Sequence, residues 1–360
     1  MQASAILLTG RQPMRPNLGE SAYFQSNGLG PASLPCVEIF GQSILERTIA
    51  RLQKAGIQHV SVIAASGCVK FRETRNVKIT LAEEAADRWA SVQRILRKEA
   101  QRGIATIVIA ELGAYAEVDV AAALQFHTTQ GQPITPLHDN LGPLSYWIVD
   151  VAQLMLQSDF PLPLEEEDEL INPPAPFFVE GYVNRLADPR DLRSLVVDAF
   201  LGRCSITPRG REIKPGVWVD EGARLHKTAR LVAPVYIGCN ARVAAGAVLT
   251  RCSNVERNST VGEGTLAADA SILPHTVIGR GLDVSGAVVD GSDFSHLDRN
   301  ITLRIQDAKL IANALPRRLH VPAYLPGYEA DRKTREQELE YSQYLSRAAG
   351  RLLEVFKGEV

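Results

Sequence analysis

Residues with reactive chemistry are sparse, and their spacing excludes two common uses. Five cysteines, Cys36, Cys68, Cys204, Cys239 and Cys252, contain no C-x-x-C pair, whereas a disulfide framework or a zinc site needs paired or closely spaced thiols. They read as thiols of a protein in a reducing cytoplasm. Charge runs occur twice. Leu164–Glu169 (LEEEDE) is an acidic stretch that reads as a solvated loop face. Arg203, Arg209, Arg211 and Lys214 surround Pro208 and Gly210, which reads as an inter-domain linker, with nucleic-acid binding the weaker alternative. Any acid–base or phosphate chemistry therefore depends on single residues that the fold must gather.

The elements that would gather them follow from composition and periodicity. The chain has 360 residues, with 39 Lys plus Arg against 41 Asp plus Glu and a net charge of −2. That balance excludes a whole-chain electrostatic grip on nucleic acid. Hydrophobic residues at 45% and charged residues at 22% exclude global disorder. A length prior of roughly 150 residues per domain suggests about two domains. No apolar run reaches the ~20 residues that cross a bilayer. Met1–Gly10 has no basic leading region and reads as a first strand rather than a signal peptide.

Ser4–Thr9 is an apolar strand ending at Gly10, and Pro13, Pro16, Gly19, Gly28, Gly30 and Pro31 make residues 11–34 a loop. Gln42–Ala55 has Ile44, Leu45, Thr48, Ile49 and Leu52 at helical spacing, with Gly56 as its stop. His59–Ala64, Val77–Leu81 and Ala105–Ala110 read as strands, and Glu83–Gln101 and Val120–Gln130 as helices, the second capped by Asp119. This alternation predicts a mostly parallel sheet covered on both faces. Ligands of such sheets bind beyond the carboxyl ends of the strands, here near Gly10 and Ala110.

A different period rules the second half. Val219, Leu225, Leu231, Ile237, Val243, Leu249, Val255, Val261, Ala267 and Leu273 stand at every sixth position and are all apolar. Four residues after each comes Ala223, Ala229, Val235, Ala241, Ala247, Ser253, Ser259, Thr265, Ser271 or Val277, all small or β-branched. Period six fits short parallel strands wound into a solenoid, with a large residue inward on each face and a small one at each tight corner. The phase is expected to slip after Val277 and the coil to end before Arg299. Pro316, Pro322, Pro326 and Gly327 mark an arm, and Asp331–Phe356 reads as a helix with a packing stripe at Tyr341, Leu345, Ala348, Leu352 and Val355.

The hexads resemble the left-handed β-helix family, in which three hexads make one triangular coil. An α/β region followed by such a coil resembles the sugar-1-phosphate nucleotidyltransferases, above all the mannose-1-phosphate guanylyltransferase type. Pro35–Leu45, Arg51–Ile57, Glu111–Thr135, Gly181–Tyr182 with Asp188–Leu192, Val217–Asp220 and Ala233–Gly238 carry the resemblance. It implies a Rossmann-like α/β nucleotidyltransferase domain over residues 1–200, a linker over 201–216, a left-handed parallel β-helix over 217–298, and a C-terminal arm and α-helix over 299–360. The family joins a nucleoside triphosphate to a sugar 1-phosphate and releases pyrophosphate. It uses a Gly-rich phosphate loop, a lysine, paired Asp residues on Mg²⁺ and a close backbone approach to the nucleotide.

This chain departs from the family at all four. Arg11 and Pro13 replace glycines of the loop after Gly10, and Pro13 has no N–H to donate. Leu34 stands where the lysine belongs. Glu111 stands for the first Asp and Arg185 for the second, with Asp188 as a stand-in only if the alignment shifts. Arg88–Trp89–Ala90 replaces the Gly-Thr-Ala step, and Trp89 fills space a base or ribose needs. The resemblance thus implies a degenerate homologue serving as a regulatory, sensing or scaffolding subunit in nucleotide-sugar or polysaccharide metabolism. Gly10, Arg11, Arg15, Arg88 and Arg185 would form a cationic pocket for a nucleotide-sugar or sugar-phosphate ligand, or else the arginines stand as separate solvated side chains. One alternative is an active enzyme with a displaced site built on Arg15, Glu111 and Asp188, with Glu111 on Mg²⁺; otherwise no cofactor is expected. Another is an acyltransferase with His226 or His275 as general base, and a third is a pure assembly module. The expected partners are further copies of the chain or an active homologue, in the cytoplasm, without nucleic acid or membrane.

Overall fold

The computed structural model describes residues 3–9, 37–64, 74–82, 85–156 and 174–314. Gly10, Arg11, Arg15, Cys36, Cys68, the acidic run 164–169 and the expected helix 331–356 lie outside the described residues. The chain divides into two compact units, residues 1–209 and 210–360.

In the first unit β1 (Ala3–Leu8) is followed by β2 (Glu38–Ile39) and β3 (Gln42–Ser43). These two pair across Phe40 and Gly41, both left-handed at φ 55° and 78°. Ser43 caps α1 (Ile44–Lys54): its hydroxyl accepts from the Glu46 N–H at 3.2 Å, and Glu46 Oε2 accepts from the Ser43 N–H at 2.7 Å. Two orphan donors are thereby satisfied at once, which sets the helix start. Next come β4 (His59–Ala64), β5 (Val77–Leu81), α2 (Ala85–Gln101), β6 (Thr106–Glu111), β7 (Tyr115–Ala116) and α3 (Val120–Gln130). Asp119 accepts from the Ala122 N–H at 3.0 Å to open α3, and left-handed Gly131 closes it. The unit continues with β8 (Ile134–Asp139), β9 (Gly142–Asp150), α4 (Val151–Leu156), β10 (Phe177–Phe178), β11 (Val183–Asn184) and α5 (Pro189–Phe200).

The sheet order is β10-β8-β9-β6-β1-β4-β5. β1 runs parallel to both β4 and β6. β9 is antiparallel to both β6 and β8, because the tight Asp139–Gly142 turn leaves no room for a crossover. The carboxyl ends of β1, β4, β5, β6, β8 and β10 therefore share one sheet edge. Both faces are buried: Leu7, Val108 and Ala110 pack with Leu45 and Ile49 of α1, while Ile6, Leu8 and Ile109 pack with Val92 and Leu96 of α2.

In the second unit short strands stack in three sheets. The first holds Val217–Val219, Val235–Ile237, Ser253–Val255, Ser271–Ile272 and Ala287–Asp290. The second holds Arg224–Leu225, Arg242–Val243, Thr260–Val261 and Thr276–Ile278, and the third Arg230–Leu231, Val248–Thr250 and Leu266–Ala268. Stacked partners are three hexads apart: Val217 lies beside Val235, Arg224 beside Arg242, and Val248 beside Leu266. Ile237, Val243, Leu249, Val255, Val261 and Ala267 form the inner core.

Two boundaries differ from expectation. Residues 201–216, expected as a linker, include the strand Arg211–Lys214, which pairs antiparallel with Val217–Val219. The expected arm over 299–360 begins with two strands, Ile301–Arg304 and Ile311–Asn313; the latter lies antiparallel along Thr276–Ile278.

The phase slip also falls earlier than Val277. Asn254 lies beside Ser271 and Thr260 beside Val277, one residue short of three hexads. The lost residue belongs to the corner at Asp269, whose φ of 55° turns the chain more tightly. Its neighbours Ala268 and Ala270 lack the bulk to oppose this. Ile272 rather than Leu273 therefore joins the inner core, and Ile278 and Val284 continue the new phase.

Hydroxyls bridge this shortened coil. Ser253 Oγ donates to the Ala267 carbonyl at 3.0 Å and accepts from the Ala270 N–H at 3.1 Å. Ser259 does the same with Leu273 and Thr276 at 2.8 and 3.1 Å, and Thr265 with Gly279 and Leu282 at 2.7 and 3.2 Å. Ser259 is fully buried, so Ser259→Ala leaves a donor and an acceptor without this partner. We expect a loss of about 1–3 kcal/mol in urea denaturation. A change below about 0.5 kcal/mol would mean that the corner is held by packing alone.

Candidate functional site

Among the described residues, the sequence-predicted Arg88, Glu111 and Arg185 fall into two separate ion pairs. β1 ends beside Glu111, which closes β6, with Leu8 as its register partner. Glu111 is buried, and Arg88 Nη1 from α2 lies 3.7 Å from its Oε1, with 11% and 6% of the two side chains exposed. A buried carboxylate needs a cation or several donors to remain charged, and here a guanidinium stands beside it. Trp89, the next residue, packs half-buried on the core that α2 covers.

Arg185 is placed by β11, whose Asn184 pairs with Tyr115 of β7. Its side chain turns to a different acid. Nε donates to Asp139 Oδ2 at 3.1 Å, Nη2 donates to Oδ1 of the same carboxylate, and Nη2 also reaches the Gly142 carbonyl at 3.0 Å. Burial alone would raise the Asp139 carboxyl. The Arg185 hydrogen bonds and the Leu141 N–H outweigh it and hold the group below the usual carboxylate range.

The two pairs are distinct. Asp139 is opposite Gly142 in the hairpin, whereas Ala110 is opposite Tyr146, so β8 lies two strands from β6. Two strand spacings amount to roughly 10 Å, and the hairpin projects about three residues, again roughly 10 Å, further along the strand direction. The described arginines of the expected cationic pocket, Arg88 and Arg185, are thus not gathered around one ligand position; each faces its own carboxylate.

Asp188, the other candidate acid, is the N-cap of α5. Its Oδ1 accepts from the N–H groups of Arg190 and Asp191 at 2.7 and 2.9 Å, just ahead of Pro189 in the first helical turn. That local role accounts for one oxygen of the carboxylate expected at a displaced catalytic or metal-binding site. The residues present do not fit the Mg²⁺ site that the sequence resemblance implies either. Glu111 faces Arg88, Arg185 faces Asp139, and among the described residues no group of three His, Cys, Asp or Glu side chains converges. Magnesium needs oxygen ligands in near-octahedral array, and a neighbouring guanidinium repels it.

The same unit stores backbone strain. Ser145, beside Tyr146 in β9, and Leu186, directly after Arg185, are buried non-glycine residues with φ of 57° and 50°. Such conformations persist only where surrounding contacts over-determine them.

One polar cluster had not been foreseen. Arg51 of α1 donates to the Ala116 carbonyl at 2.5 Å, to Tyr115 Oη at 3.0 Å and to Ser205 Oγ at 3.2 Å. Glu117 Oε1 accepts from Tyr115 Oη at 2.7 Å, from the Ser205 N–H at 2.5 Å and from Ser205 Oγ at 2.6 Å. Gly181 lets β11 approach, because a Cβ there would strike the Glu117 carbonyl. The visible sequence signal was Arg51 within the Arg51–Gly56 step, although nothing local names its partners. An apolar cavity lined by Leu52, Val108, Val118, Ala123 and Ile148 lies beside this cluster. Burial pushes the phenol of Tyr146, which also lines it, up to about 12.

On the coil, His226 is exposed with Nδ1 2.9 Å from Thr228 Oγ1. His275 occupies a left-handed corner at φ 63° on a later rung. The two candidate general bases are not brought together. Cys204, Cys239 and Cys252 form no disulfide. Among the described residues no helix is long and apolar enough to cross a membrane. The chain matches no family model and no curated protein.

The Glu117 cluster predicts a pH signature. Burial raises the Glu117 carboxyl, but the Ser205 and Tyr115 hydrogen bonds and Arg51 outweigh it and leave the group below the ordinary glutamate value. A depressed folded value stabilises the protein above the unfolded value, and that contribution disappears as pH falls through the folded one. Glu117→Gln is therefore expected to lose about 1–2 kcal/mol at neutral pH. The deficit should vanish once the carboxylate is protonated, as followed by urea denaturation at several pH values.

Proposed function

We propose that this chain is a degenerate relative of the sugar-1-phosphate nucleotidyltransferases: an α/β nucleotidyltransferase-like domain followed by a left-handed β-helix. Its role is that of a regulatory, sensing or scaffolding subunit in nucleotide-sugar or polysaccharide metabolism. The observation that carries this reading is the Arg88–Glu111 pair at the carboxyl edge. The one carboxylate retained at a metal-binding position of the family faces a guanidinium, and the second position bears Arg185, which is tied to Asp139. The hexads, the three stacked sheets and the sequence departures at Arg11, Pro13 and Leu34 support the same conclusion. Losing one preorganised charge-stabilising group costs an enzyme about 10²–10³ in rate, so several losses together leave little phosphoryl transfer. Assembly into a homo-oligomer, or with an active homologue, follows from this reading.

The test uses the full chain with Mg²⁺ and a panel of nucleoside triphosphates and sugar 1-phosphates. No metal-dependent pyrophosphate release is expected. At least one nucleoside diphosphate sugar should raise the melting temperature, since a ligand at 100 times its Kd adds about 2.7 kcal/mol to native-state stability. Turnover that Glu111→Ala abolishes would overturn the reading in favour of an active enzyme. Stabilisation by no nucleotide sugar would reduce it to scaffolding.

A further inference from the structure

The first two rungs of the coil carry a charge pattern that the proposed role does not use. Between Glu221 and Glu256 there is no aspartate or glutamate, while Arg224, Lys227, Arg230, Arg242 and Arg251 all fall in that interval. In a chain of net charge −2 this is a local reversal. Strand alternation turns Leu225, Leu231 and Val243 to the coil interior, so Arg224, Arg230 and Arg242 occupy outer faces. Arg224 and Arg242 are register partners on adjacent rungs, with Thr260 next in the same row. Lys227 sits at the corner between Arg224 and Arg230, and Arg230 begins the next face. Arg224, Lys227 and Arg230 are exposed and Arg242 half-buried. None of these four side chains forms an ion pair or hydrogen bond among the described residues.

Like charges directly opposite one another on a sheet are destabilising. Charge on an edge strand can repay this by blocking unwanted pairing, which accounts for Arg224 and Arg230, the edge members of their sheets. It does not account for Arg242, which lies between paired strands. An external anion does. We infer that this surface binds a linear polyanion carrying about one charge per repeat, an acidic polysaccharide of the polyuronate class. Four cations spread along two rungs and around a corner make an extended track rather than a pocket for one phosphate. Rungs stand about 4.8 Å apart, so charge along the row is much sparser than the one per ~1.7 Å of duplex DNA. Single-stranded nucleic acid is bound on aromatic platforms between the cations. Phe and Trp do not occur from Gly222 to Val255, the one Tyr, Tyr236, is fully buried, and the His226 ring is engaged with Thr228.

This inference is independent of the nucleotidyltransferase reading, because it concerns another unit and another ligand. The test is titration calorimetry of the full chain with a polyuronate oligomer of defined length. Single-stranded DNA of equal charge and phosphatidylserine vesicles serve as comparison ligands. Polyuronate should bind at low salt and more tightly than either. Arg224→Ser with Arg242→Ser should weaken it at least ~10-fold and flatten the slope of log K against log salt by roughly one to two. Arg224→Lys with Arg242→Lys should retain most of the binding, and Arg280→Ser, an exposed cation outside the interval, should retain all of it. Melting curves of the double variants should match the parent. No polyuronate binding, binding untouched by the double Ser variant, or tighter binding of DNA or vesicles would each overturn the assignment.

Discussion

A carboxylate removed from water must be given a cation or several donors, and that requirement organises the first unit. Glu111, Asp139 and Glu117 each meet an arginine distant in sequence: Arg88, Arg185 and Arg51. Removing one member of the most buried of them, Arg88–Glu111, costs about 3–5 kcal/mol, because the other charge is left uncompensated, and the more exposed pairs cost less. The pairs therefore act as fixed points. They pin α2 to the end of β6, β11 to the β8–β9 hairpin, and α1 to the segment after β7. An arginine so held cannot turn to a phosphate without stranding its acid. This is the physical reason that Arg88 and Arg185 do not amount to a phosphate pocket.

The second unit obeys a different constraint, and its charges are arranged accordingly. A coil with a constant number of residues per turn stacks each position over its counterpart, so a side chain chosen for one rung lies against the choice made for the next. Apolar positions gain from this, since Val243 and Val261 pack in line. Charged positions do not, and Arg224 lies over Arg242. Toward the far end the acid-pairing rule returns. Arg304 donates to both oxygens of Asp293 at 2.8 and 3.0 Å. Asp290, across the hairpin, is pushed up to about 6 by burial and by the Asp293 charge. The cationic rungs differ because no acid occurs in that part of the sequence.

What could be read from the sequence was what local rules decide. Asp119 before an apolar helix and Gly131 after it mark α3 at both ends, and the β-branched run His59–Ala64 is a strand in full. The β8–β9 hairpin was not legible. Pro136 and His138 break the alternation of β8, and the register shifts between them. Arg185 was legible as a cation, but its partner was not, because Asp139 reaches it only through the pairing of β7 with β11 and the projection of the hairpin. Asp188 is the instructive case. An Asp directly before Pro carries a local signal for a helix start, and the N-cap that Asp188 forms is what that signal describes.

The hexad phase concealed one more feature that residue chemistry had already marked. Corners of the early rungs carry apolar residues, Ala223, Ala229, Val235, Ala241 and Ala247. At Ser253, Ser259 and Thr265 the residue gains a hydroxyl. These are the corners that face the shortened coil, and each hydroxyl links a carbonyl and an N–H of that coil. Polarity is therefore the informative variable, since small and β-branched side chains occur at both kinds of corner. A coil that drops a residue must satisfy backbone groups at corners whose geometry has changed. The switch from apolar to hydroxyl residues one rung earlier shows where that happens before the apolar phase does.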